Sequence, residues 1–107
     1  MKKAEVVGAL EKGEILMQGL YWGGRMDVIT MRDKATGNRR TAYVLKETVM
    51  VEKGPVAVST WMPDDYDAVK HPWEQKIKRM TPVVARITRL ETVAGNVQIS
   101  GVVEPLE

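Results

Sequence analysis

Arg32-Asp-Lys-Ala-Thr-Gly-Asn-Arg-Arg-Thr-Ala-Tyr43 is the stretch on which the fold turns. Residues 33–38 have the chemistry of a reversal, because Gly37 and Asn38 tolerate positive φ. A hairpin is expected there. On its N-terminal side, 25–32 carries Met26, Val28, Ile29 and Met31, an apolar segment of strand length that starts after Gly23-Gly24. On its C-terminal side, 39–52 sets Thr41, Tyr43, Leu45, Val49 and Val51 on one face of a strand and Ala42, Val44, Thr48 and Met50 on the other.

Working outward, Lys53-Gly54-Pro55 reads as a second turn, and 56–61 as a third β-branched run that stops before Met62-Pro63. Further on, 82–93 and 97–103 form a second hairpin around Ala94-Gly95-Asn96. Between the third and fourth runs, 64–80 has helical grammar, divided by Pro72. Pro72 suits a first helical turn, Glu74 the positive end of a helix, and Lys78 and Arg79 its negative end. Trp73, Ile77 and Met80 would share one face. At the N-terminus, 5–10 and 14–22 are read as strands, with a short helix as the alternative for the first. Three strands, a helical insert and two strands predict an all-β chain. The expected architecture is a five-stranded Greek-key barrel of the oligonucleotide/oligosaccharide-binding (OB) type, with a short helical insert between strands 3 and 4. An SH3-like barrel is the competitor.

The 107 residues, 44% hydrophobic and 28% charged, suit one domain over 1–107 with a core that needs no crosslinks. The absence of cysteine excludes disulfides, thiolate nucleophiles and cysteine-ligated zinc. A single histidine, His71, leaves little for a triad or a two-histidine metal site. Asp64, Asp65 and Asp67 lack the loop length and distal Glu of a calcium motif. The Gly19 to Gly24 stretch lacks the Lys-Ser/Thr of a nucleotide loop. An enzyme is therefore not expected, nor a cofactor, a metal or a small-molecule substrate. No uncharged stretch approaches the roughly 20 apolar residues of a membrane span, and none reads as an export signal. The expected location is the cytoplasm of a bacterium or a phage-infected host.

The net charge is only +2, yet its distribution is uneven. Arg32, Lys34, Arg39, Arg40 and Lys46 stand against Asp33 alone over 32–46, and Lys76, Lys78, Arg79, Arg86 and Arg89 face no acid over 75–90. Cations release counterions from phosphates, and a nearby aromatic ring stacks on unpaired bases. Arg32, Lys34, Arg39, Arg40 and Lys46, with Tyr43 and Leu45 after the turn and Arg86 on the fourth strand, are the candidate nucleic-acid-binding residues. A solvated hairpin tip is the plainer alternative, and a helix C-terminus would attract Lys78 and Arg79 in any case. The three Trp and three Tyr, with no Phe, all carry a polar handle. Packing is favoured over base stacking for Trp61 and Trp73, while Tyr21 and Trp22 remain open. The methionines read as core filler.

Thr36-Gly-Asn-Arg-Arg-Thr-Ala-Tyr-Val-Leu45, Val49-Met-Val-Glu-Lys-Gly-Pro-Val-Ala-Val58 and the C-terminal run over 82–106 together resemble the small single-stranded-DNA-binding, helix-destabilising proteins of filamentous phages. The resemblance implies phosphate contacts at Arg32, Lys34, Arg39 and Arg40 and base stacking or packing by Tyr43 with Leu45. It also implies a homodimer that coats strands cooperatively in replication. The expected partner is thus single-stranded DNA, with RNA left open. A protein-interaction barrel without nucleic-acid binding is the alternative.

Overall fold

The computed structural model describes Ala4, Glu5, Gly8 and residues 11–93 and 95–106. Five strands run in the order β1 (Ile15–Arg32), β2 (Arg39–Val51), β3 (Gly54–Trp61), β4 (Pro82–Val93) and β5 (Asn96–Pro105). They close into a barrel in the order β1-β2-β3-β5-β4, with β4 returning to pair with β1. Every pairing is antiparallel except that of β3 with β5, where Ser59 sits opposite Ser100. A closed five-stranded Greek key of this order is the OB barrel expected from the sequence.

The two hairpins form where the turn residues stand. Between β1 and β2 the Asp33 N–H donates to Asn38 O, the Gly37 N–H donates back to Asp33 O, and Gly37 takes a φ of 71°. The Asp33 carboxylate and the Thr36 hydroxyl accept the N–H groups of Ala35 and Asn38, so the loop carries its own hydrogen bonds. Gly95 turns β4 into β5 with a φ of 83°.

β1 differs from expectation. The Gly23-Gly24 pair does not open a strand but lies inside one of 18 residues. The register with β2 slips there, from Tyr21 opposite Val49 to Gly23 opposite Thr48, leaving Trp22 as the extra residue of a bulge. A bulge bends a strand and switches which side chains face inward, so one strand serves two parts of the barrel wall. Upstream it pairs with β4 through Ile15–Leu20, and downstream with β2 as far as Arg32.

The core is small and β-branched. Val49, Val58, Val83, Ala85 and Val103 pack with the fully buried Tyr21. Beyond the barrel end, the helical insert expected over 64–80 is absent: 62–81 has only turns, bends and irregular backbone. Its last residues are pinned to β1, where the Met80 N–H donates to Tyr21 O at 2.6 Å and the Tyr21 N–H donates to Thr81 O at 2.8 Å. Each half of the segment is too short to repay helix nucleation. The irregular course instead lets Ile77 reach the core and sets the Trp73 indole over Gly24, while Met80 is left half exposed at a φ of 72°. The strand expected over 5–10 is also not formed, since Glu5 and Gly8 are helical; the remaining residues of that stretch lie outside the described ones.

Candidate nucleic-acid interface

Past the point where β3 ends, the β1–β2 hairpin continues as a two-stranded ribbon, and β4–β5 does the same beside it. Alternation along β2 sorts the expected site residues onto opposite faces of this ribbon. Arg40 and its cross-strand partner Met31 face a cleft of about 260 Å³, with Trp61 on its floor and Arg89, Glu91, Gln98 and Ser100 on the far wall. Trp61 lies opposite Val44 and is 47% exposed. This corrects the reading of Trp61 as core. Its position as the last rung of β3, where no fourth strand covers the outer face, leaves the indole open.

Arg32 and Arg39 occupy the other face near the tip, directly opposite one another. Like charges in register repel. Among the described residues no carboxylate pairs with either of them, nor with Lys34. An arrangement that costs the free protein stability is what an anion would relieve. Arg40 has a loose partner in Asp64 at 3.7 Å, both well exposed, and such pairs contribute little.

The other expected residues are not gathered at this tip. The Tyr43 ring packs edge-on against Tyr66, centroids 5.4 Å apart, on the face away from Arg40. Leu45 faces inward with Glu47, beneath the 62–81 segment. Lys46 points outward, but 3.2 Å from Asp27, whose carboxyl is lowered from its ordinary pKa by that Lys46 contact and by the neighbouring Arg25. Arg86 sits on β4 between Leu16 and Val102, near Glu14 at 3.7 Å and Glu104 at 4.0 Å. The tip therefore keeps Arg32, Lys34, Arg39 and Arg40, adds Trp61 and Arg89, and releases Tyr43, Leu45, Lys46 and Arg86. Arg89, which also pairs with Glu91, stood out in sequence only as part of a basic run.

Among the described residues no group of His, Asp or Glu side chains is arranged to hold a metal ion. No helix among them is long and apolar enough to cross a membrane. No protein-family model matches the chain, and no curated protein does. Among solved structures, the solution NMR structure of the OB domain of Ta0387 from Thermoplasma acidophilum is similar, at 13% identity and a TM-score of 0.46, over 98% of this chain and 84% of that one. The barrel assignment above stands on the strand order alone.

Proposed function

We propose that the chain binds single-stranded DNA with little sequence preference, holding it across the cleft between the two hairpins. The observation that carries this reading is the half-exposed Trp61 indole on the floor of a cleft walled by Arg40 and Arg89. A ring for bases and cations for phosphates are the two parts a single-strand site requires. The Arg32–Arg39 pair, with no carboxylate partner among the described residues, lies one rung nearer the tip on the opposite face of the same ribbon. In OB barrels generally, the loops joining strands 1 to 2 and 4 to 5 flank the oligonucleotide, which is where these residues are.

The mechanism is linkage. A protein that prefers the unpaired strand draws duplex toward it by mass action, with no cofactor and no catalytic residue. Coating of a replicating strand by homodimers, the behaviour of the phage helix-destabilising proteins that the sequence resembles, belongs to the same proposal. Fluorescence anisotropy of a labelled oligothymidine, compared with its duplex and an RNA counterpart at several salt concentrations, tests it. Tight binding that favours the single strand and weakens steeply with salt is expected. No binding at low salt sinks the proposal.

A protein partner is the second reading, favoured by Val28, Leu90 and Val97, which are 61%, 58% and 70% exposed on the two ribbons. A stoichiometric protein complex without salt-sensitive nucleic-acid binding would decide for it.

A further inference from the structure

We propose that Trp22 and Arg79 form a second landing point for the same single strand, so that the bound oligonucleotide runs from the Trp61 cleft across the outer face of the barrel. This rests on the single-strand reading above and extends it to a site the hairpins do not reach.

The bulge in β1 is what creates the point. Trp22 is its extra residue, 41% exposed although its neighbour Tyr21 is fully buried. The Arg79 guanidinium lies over the Trp22 ring, 3.5 Å from its centroid. Among the described residues no carboxylate pairs with Arg79, so its charge is available outward. The arginine is also held in place. The adjacent Met80 N–H donates to Tyr21 O, and the Gly24 N–H donates to the Gln75 side chain at 3.4 Å, tying the segment that carries Arg79 to both sides of the bulge. A planar cation stacked on an indole offers one surface to a base and N–H donors to a phosphate.

The path between the two points is open and basic. A shallow depression of about 280 Å³ beside Trp22 is lined by Arg25, Lys46, Thr48 and Ala57, all on the outer face of β1–β3. Asp27 bonds both Arg25 and Lys46, which leaves the cations, with Arg79, in excess over that one acid. Trp61 is level with Val44, and the Trp22 bulge is level with Thr48. Four residues along β2 and two strand spacings across it separate the two indoles by roughly 16 Å, which a few nucleotides of extended strand would bridge.

The test compares a labelled thymidine dinucleotide, too short to reach from one indole to the other, with an oligothymidine of about twelve nucleotides, within the range one OB barrel covers, by anisotropy on the full chain. Trp22→Ala and Arg79→Ala are each expected to weaken the longer oligomer about tenfold and the shorter one less than twofold. Arg79→Ala should also shallow the salt dependence for the longer one only. Trp22→Phe, which keeps a stacking ring, should restore most of the affinity. Thermal melts of each variant separate lost binding from lost folding, and Arg79→Lys, which keeps charge without a planar stack, provides a milder change should Arg79→Ala fail to fold. If the wild-type chain binds both oligomers and Trp61→Ala weakens them while Arg79→Ala and Arg79→Lys change only the melting temperature, the second landing point is overturned and the cleft stands. If neither oligomer binds, both proposals fall.

Discussion

The Tyr21 hydroxyl donates a 2.6 Å hydrogen bond to the Glu47 carboxylate inside the barrel, where both side chains are buried. Burial pushes the Glu47 carboxyl above its ordinary pKa, with the Tyr21 hydrogen bond acting the other way. The Tyr21 hydroxyl is itself raised, first by burial and then by Glu47. The folded chain therefore binds the Glu47 proton more tightly than the unfolded chain. This group's contribution to stability is fully present below the ordinary carboxylate value and is lost as pH rises through the raised one. Glu47→Gln, neutral throughout, is expected to flatten that decline in melts taken from about pH 4 to pH 8. Asp27 runs the opposite way, its lowered carboxyl adding stability that is lost as pH falls, so Asp27→Asn is the matching control. A slope that Glu47→Gln leaves unchanged would remove the buried carboxylate from the account.

Arg32 and Arg39 repel across the ribbon, and their removal separates binding from stability. Replacing both by Ala is expected to leave the melting temperature unchanged or raise it slightly, because a like-charged cross-strand pair costs a few tenths of a kcal/mol or more. The same double variant should weaken oligothymidine binding and reduce the slope of log affinity against log salt by roughly 1.4, about 0.7 for each lost phosphate contact. Titrations at four or more salt concentrations read the slope directly. An unaltered slope would mean that the pair is solvated and touches no phosphate.

Trp61, for which the sequence favoured packing, should stack on a base, and Tyr43, for which stacking and packing were both open, should act through packing. Trp61→Ala is expected to cost about 1–3 kcal/mol of single-strand affinity, the usual worth of one stacked base, with little change in melting temperature. Tyr43→Ala loses the Tyr66 contact and is expected to lower stability by about 1 kcal/mol while moving affinity far less. Quenching of tryptophan fluorescence by oligothymidine should fall in the first variant and persist in the second.

Gly101 is pressed against β4, and a Cβ there would collide with the backbone carbonyl of Arg86. Backbone cannot step aside as a flexible side chain can. Gly101→Ala is therefore expected to destabilise by about 1–3 kcal/mol, as overpacking does, with the loss visible in denaturant melts. Gly37→Ala on the exposed turn meets no neighbouring atom and is strained only through its positive φ, so it should cost less than Gly101→Ala.

The fold was legible because its signals are local. Asp33 to Asn38 and the residues around Gly95 dictate reversals by backbone preference alone, and the β-branched runs around Val49, Val58 and Val84 need no distant partner to read as strands. The hairpin cations at Arg32, Lys34, Arg39 and Arg40 were visible for the same reason. What only the tertiary structure decided depends on register and on what covers a face. The Trp22 bulge switches the inward and outward sides of β1, which strict alternation cannot foresee. The segment over 62–81 gives up a weak helical tendency because pinning to Tyr21 lets Trp73 and Ile77 close the barrel end. Trp61 and Trp73 are the same residue type, and sequence favoured packing for both. One caps the barrel and the other lines an open cleft, because neighbours distant in the chain, Gly24 for Trp73 and the two ribbons for Trp61, determine how much water each ring loses.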